Sequence, residues 1–191
     1  MTDHDAAAGP PAEVGPPPLP VLASPWSLRL AGSDDVATVH AWMRRPHVAR
    51  RWDQAWTRER WDAEIAGQLA GSHSRPCLVS RAGVDVAYVE IYRAVRDSLS
   101  DHYDAGRHDL GLHLAIGEEA RTGDGLGSTL LALLAEGLFD ADPGCRRVVL
   151  EPEHGNAPMH RALAKAGFSA VGAVDLPHKT ALLHVRERAA G

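Results

Sequence analysis

Asp109-Leu110-Gly111-Leu112-His113-Leu114-Ala115-Ile116, followed by Thr122-Gly123-Asp124-Gly125-Leu126-Gly127-Ser128, is the stretch on which the fold turns. The first run alternates as a strand, with Leu110, Leu112, Leu114 and Ile116 on one face and Asp109, Gly111, His113 and Ala115 on the other. His113 therefore points away from the leucine face. The second run is a glycine-rich loop opening a helix that carries an apolar stripe at Leu130, Leu131, Leu134 and Leu138. Glycines let backbone approach a ligand closely, and the unpaired N–H groups of a helix's first turn favour an anion, typically a phosphate. Asp142-Pro143-Gly144 stops the helix.

Working outward, Arg146-Arg147-Val148-Val149-Leu150-Glu151 reads as a second strand ending in a carboxylate. A strand, helix and strand of this length make a right-handed crossover, so the two strands are expected to be parallel neighbours. Pro152–Asn156 is a turn, and Asn156 can cap a helix over Ala157–Ala166, with Pro158 in its first turn, Gly167 ending it and Phe168 returning to the core.

With 191 residues and 45% hydrophobic content, the chain can build one substantial core. The net charge of -5 argues against a general nucleic-acid or membrane-surface binder, and a mild acidic balance suits a cationic amine. Cys77 and Cys145 show no metal spacing and read as buried reduced thiols. With no membrane-length apolar run and no basic start before an apolar core, a cytoplasmic protein is expected. Met1–Pro25 holds seven of the 13 prolines and few large apolar residues, and is expected to be a disordered or extended arm before a single domain over residues 26–191.

Trp26–Leu30 alternates as a first strand, and Ser33 or Asp34 can cap a helix carrying Val36, Val39, Trp42 and Met43 that Pro46 should break. Trp52, Trp56 and Trp61 follow on a segment helical from Thr57; such a cluster reads as packed core, or as the lining of an acceptor pocket. Pro76–Ser80 and Val84–Arg93 form a hairpin that places Tyr88, Glu90 and Tyr92 on one face. Glu90 between two tyrosines can hold an acceptor's nitrogen or simply take a tyrosine hydrogen bond. Ser98–His108, with Tyr103, is a loop of the kind that borders substrate openings. Val171–Val174 and Thr180–Val185 read as closing antiparallel strands.

The glycine loop, the strand after its helix, and Asn156 followed eleven residues later by Gly167-Phe168 resemble the acyl-CoA motifs of the GCN5-related N-acetyltransferases (GNAT). His40–Val48, Tyr88–Tyr92, Asp101–Asp104, Asp109–His113 and Cys145–Arg147 resemble the siderophore branch of that family, which holds mycobactin lysine N-acyltransferases and aerobactin N6-hydroxylysine acetyltransferases. The resemblance covers roughly residues 26–186. It implies an α/β (α+β) fold with a central mixed, mostly antiparallel sheet, a splayed parallel strand pair and flanking helices. It also implies acetyl-CoA or another acyl-CoA as co-substrate, no metal, and a small amine or N-hydroxyamine acceptor, acylated to a hydroxamate in siderophore biosynthesis. Aminoglycoside 6'-N-acetyltransferases share several of these features and stay open as an alternative, as does a CoA-binding module without catalysis, and so does a homodimer.

Acyl transfer to an amine needs a neutral nitrogen, a polarised thioester carbonyl and a proton for the departing thiolate. His113 is the candidate base, a role the branch resemblance also maps onto it, and the resemblance, through an aspartate at the matching position of mycobactin-type enzymes, implies Glu151 as the candidate that orients His113 or the acceptor. The backbone of Gly123, Gly125, Leu126, Gly127 and Ser128 is expected at the pyrophosphate, an amide near Leu114 at the carbonyl, and Asn156 at the pantetheine arm or acting only as a cap. Glu90, Tyr92, Trp52 and Tyr103 are the candidates for acceptor binding. The family's usual Arg or Gln at the head of the loop is Thr122 here, and its usual tyrosine seven residues after the asparagine is Leu163. The first departure leaves the backbone cradle intact; the second leaves the thiolate's proton to solvent or another residue.

Overall fold

A computed structural model describes residues 14–121, 124–177 and 179–189. Residues 1–13 of the proline-rich arm, and Thr122 and Gly123 of the glycine loop, lie outside the described residues. In chain order the elements are β1 (Trp26–Leu30), α1 (Val36–Met43), α2 (Pro46–Trp52), α3 (Arg58–Ala70), β2 (Ser74–Arg81), β3 (Val84–Arg93), β4 (Leu110–Ile116), α4 (Leu126–Ala141), β5 (Arg147–Leu150), α5 (Ala157–Lys165), β6 (Ser169–Leu176) and β7 (Lys179–Glu187). The strands form one sheet in the order β1-β2-β3-β4-β5-β7-β6.

Every neighbouring pair in that sheet is antiparallel except β4 and β5, which run parallel. This is the mixed α/β architecture the sequence resemblance implied. The parallel pairing covers only Leu110↔Val148 and Gly111↔Val149, so the two strands part beyond it.

One face of the sheet carries α4 and α5. Leu130, Leu131, Leu134 and Leu138 of α4 are fully buried there against Val89, Ile91, Leu112 and Val148, and burying each such side chain stabilises the fold by about 1.5–3 kcal/mol. Phe168 tucks into the same cluster, after Gly167 closes α5 in the left-handed region at φ +83°. The opposite face carries α1 and α3, whose Val39, Trp42, Met43, Trp61 and Ile65 cover Leu78, Tyr88 and Ala115. Cys77 and Cys145 are buried free thiols, their pKa pushed up to about 12 by burial.

Pro46 breaks α1 as expected, and the structure adds a second helix there. Pro46 stands in the first turn of that helix, α2, where its missing N–H leaves no bond unmade and its fixed φ suits a helix start. Residues 14–25 contain no helix or strand and run along α4: Pro20 occupies the space a side chain at Gly137 would need, and Gly15 accepts a bond from Arg93 Nε at 3.0 Å.

Candidate active site

Sheet register assembles the site. Glu90 of β3 and His113 of β4 are direct cross-strand partners, so their side chains leave the sheet together, on the face opposite α4. Glu151 stands just past the end of β5, two residues on from the Gly111↔Val149 pair, and its side chain reaches His113 where the strands part. Tyr92 pairs with Gly111, whose missing side chain lets the phenol ring cross above it: a Cβ there would lie 1.9 Å from Tyr92 Cζ. The Tyr92 hydroxyl thereby reaches Glu151 Oε2 at 2.7 Å.

The imidazole of His113 is held from both sides. Nδ1 lies 3.1 Å from Glu90 Oε2 and Nε2 lies 2.8 Å from Glu151 Oε1. An ionised carboxylate only accepts hydrogen bonds, so both ring nitrogens donate and the ring is an imidazolium. Burial alone would push its pKa down, but Glu151 and Glu90 outweigh burial and raise it to about 10. Glu151 is shifted oppositely: burial would raise it, yet His113, Lys179 and the Tyr92 hydroxyl bring it down to about 2. Glu90 also lies below the usual carboxylate range, against its own burial, through His113, Gln68 Nε2 at 2.8 Å and the Tyr88 hydroxyl at 3.1 Å. The carboxylates are sealed in, with 12% and 5% of their side-chain surface exposed, whereas His113 keeps 36%. A reacting partner can therefore reach the ring but not the groups that hold it.

Aromatic rings frame that opening. Tyr92 lies 4.9 Å from the His113 ring centroid, and Trp52, at the end of α2, approaches edge-on at 5.8 Å. Trp61 is core, and the partly buried Trp52 and Trp56 pack against its cluster, so the tryptophan group serves as both core and wall. Tyr103 sits elsewhere, toward the start of β4, donating to Asp109 Oδ2 at 3.2 Å beneath the Arg147 guanidinium.

The gap between β4 and β5 is lined by backbone. Gly117 N–H donates to Val86 O and Ala94 N–H to Asp109 O, so odd-numbered residues along β4 exchange bonds with β3. The even-numbered Leu112, Leu114 and Ile116 consequently aim their polar backbone toward β5, which ends at Leu150. Past that end, Leu114 faces the gap, and the Ile116 carbonyl accepts from His47 Nε2 at 2.9 Å.

Gly125, at φ +76°, turns the chain into α4, and the first ladder bond runs from Thr129 N–H to Gly125 O. The amides of Leu126, Gly127 and Ser128 precede that bond and have no intrahelical acceptor. Gly127 lies beside Ile116 and Ala162, with contacts of 3.6 and 3.8 Å from an added Cβ, so this turn borders the mouth of the gap. Asn156 caps α5, its Oδ1 accepting from Met159 N–H at 3.4 Å. Leu163 is fully buried in the core.

Among the sequence-derived candidates, the structure brings together His113, Glu151, Glu90, Tyr92 and Trp52, and separately Gly125, Leu126, Gly127 and Ser128 beside the strand gap. Gly123 lies outside the described residues. Sequence reasoning missed Gln68, which supports Glu90 from α3, and Lys179, whose Nζ lies 3.4 Å from Glu151 Oε1. Neither stands in a motif; each arrives by tertiary packing.

Comparison with known proteins places the chain in a family. Residues 32–176 match the family model described as an acetyltransferase (GNAT) domain. The chain is 39% identical over 173 residues to lysine N-acyltransferase MbtK of Mycolicibacterium paratuberculosis, covering 91% of this chain and 78% of that protein. It is 31% identical over 163 residues to N(6)-hydroxylysine O-acetyltransferase of Escherichia coli, covering 85% of this chain and 52% of that one. Among solved structures it resembles AAC(6')-Ib in complex with paromomycin and acetyl-CoA, at 26% identity and a TM-score of 0.78, covering 85% and 93% of the two chains.

Proposed function

This chain belongs to the GNAT acetyltransferase family, and from that premise we propose that it acylates the side-chain nitrogen of a lysine-like amino acid or diamine, N-hydroxylated beforehand, to give a hydroxamate for siderophore assembly. The acyltransferase activity itself follows from the family and the named relatives, with an acyl-CoA as co-substrate. The observation that carries the acceptor reading is the His113 cluster, an imidazolium fixed by two buried carboxylates and open on one edge between Trp52 and Tyr92.

The residues beside the strand gap fit an acyl-CoA. The turn at Gly125 and the first-turn amides of Leu126, Gly127 and Ser128 suit its pyrophosphate, the parted strands leave room for an extended arm, with Asn156 the candidate to contact it, and the Leu114 amide suits the carbonyl oxygen. When bound, that co-substrate supplies the thioester carbonyl which the amine attacks. The protein's own part is to orient the nitrogen and move its proton. As the C–N bond forms and the C–S bond breaks, the His113 imidazolium gives a proton to the departing thiolate and, left neutral, takes up the proton that the now acidic nitrogen loses. Leu163, buried and with no titratable proton, cannot be that proton source.

Acceptor chemistry favours the N-hydroxylated form, because an alkylammonium must lose a proton before it can attack whereas an N-hydroxyamine is far less basic. A second reading, aminoglycoside 6'-N-acetylation, is supported by the likeness to AAC(6')-Ib. One experiment separates the two: acetyl-CoA is offered with N6-hydroxylysine, N5-hydroxyornithine, N-hydroxycadaverine, lysine and kanamycin, and free thiol is followed. Turnover of the hydroxylated amines is expected; turnover of kanamycin alone would reject the siderophore reading.

A further inference from the structure

The four charged groups bonded to one another around His113 cancel. Glu90 and Glu151 carry two negative charges, and His113 and Lys179 two positive ones. No carboxylate oxygen among them is idle. Glu151 Oε1 receives His113 Nε2 and Lys179 Nζ while its Oε2 receives Tyr92; Glu90 Oε1 receives Gln68 and Tyr88 while its Oε2 receives His113 Nδ1. The next carboxylates out are also engaged. Glu64 accepts from Gln68, and Asp97 takes the Leu99 amide with His73 at 3.5 Å.

An alkylammonium entering this site would bring a third positive charge to carboxylates that each already accept three hydrogen bonds and whose charge is already balanced, and would be penalised unless it displaced a resident cation or lost its proton first. A neutral hydroxylamine nitrogen meets no such penalty. We propose that Lys179 is a specificity-determining residue: its ammonium fills the cation position beside Glu151 and so biases the enzyme toward a neutral, N-hydroxylated acceptor nitrogen over a lysine ammonium. This rests on the acceptor class proposed above and adds the residue that makes the choice. Lys179 suits the role because it stands at the rim, at the start of β7 with 23% of its side chain exposed, while His113 and Glu151 remain paired without it.

The test compares kcat/KM for N6-hydroxylysine and for lysine, with acetyl-CoA at neutral pH, in the full-length wild type, Lys179→Met and Lys179→Arg. The intrinsic basicities of the two nitrogens are the same for every variant, so a change in the ratio reports the residue at 179. In Lys179→Met the preference for the hydroxylated amine is expected to fall on the order of tenfold, chiefly through a gain with lysine, while Lys179→Arg stays near wild type because it keeps the charge. An unchanged ratio in Lys179→Met, whether both activities persist or fall by one common factor, would overturn the inference. So would an arginine variant that shifts as far as methionine, since charge would then not be the cause. A wild type that turns over neither amine would instead bring down the acceptor class, and this inference with it.

Discussion

His113 differs from a free histidine in having no lone pair to offer. Both of its nitrogens are committed to carboxylates, so its part in the reaction depends on how firmly Glu90 and Glu151 hold the proton. The signs of the shifts set a pH window. His113, raised from 6.5 to about 10, contributes stability that is full below 6.5 and lost as pH rises through about 10; Glu151, lowered from 4.5 to about 2, contributes stability that is full above 4.5 and lost as pH falls through about 2. Replacing Glu90 by Gln removes one of the two holds, so the alkaline limb of the kcat/KM–pH profile is expected to move toward neutral, and His113→Ala to lower the rate at least tens-fold. A limb in the same place in Glu90→Gln would show that Glu90 does not set the imidazole's state. At this scale the sequence displayed each participant without its partners. Alternation placed His113 off the leucine face and Glu90 between tyrosines, but their meeting depends on strand register, and Gln68 and Lys179 come from elements whose docking no local pattern encodes.

Between residue and molecule, the decisive element is the β3-β4-β5 triplet, where one glycine sets the site. Gly111→Ala would drive a Cβ into the Tyr92 ring, which Leu99 and Val149 confine. The ring must shift and release Glu151, a combined cost of about 2–4 kcal/mol for overpacking and a lost charge-assisted hydrogen bond. Denaturant unfolding would read that loss at constant slope, with activity falling alongside; an alanine variant of wild-type stability would mean that the ring has room the packing denies. Elements were the most legible level, because period and punctuation act locally. The stripe at Leu130, Leu131, Leu134 and Leu138, the Asn156 cap and the Gly167 stop all lie where the pattern put them. The break at Pro46 lies there too, but the helix that Pro46 opens was not legible, because proline is equally at home after one helix and in the first turn of the next, and only the packing of Val48 into the α1–α3 cluster decides between them.

Over the whole molecule, α2 ties the halves of the site together. Arg45 pairs with Glu118 beyond β4, and Arg51 with Glu153 beyond β5 at 2.9 Å, so the helix bearing Trp52 bridges both lips of the strand gap. The sheet order, with β7 inserted between β5 and β6, brings Lys179 to Glu151. The sequence showed closing antiparallel strands, but their order is a matter of long-range pairing and was not legible. Among the described residues no helix is long and apolar enough to cross a membrane, and no group of His, Cys, Asp and Glu is arranged to hold a metal ion. The central claim, that nitrogen of an N-hydroxylated amine is acylated, is tested most directly by the identity of the product, since acylation on oxygen would consume the same substrates and release the same thiol. Wild-type protein, acetyl-CoA and N6-hydroxylysine should yield a product that binds ferric iron with the colour of a hydroxamate; an ester on the hydroxyl oxygen, or thiol release without any iron-binding product, would contradict it.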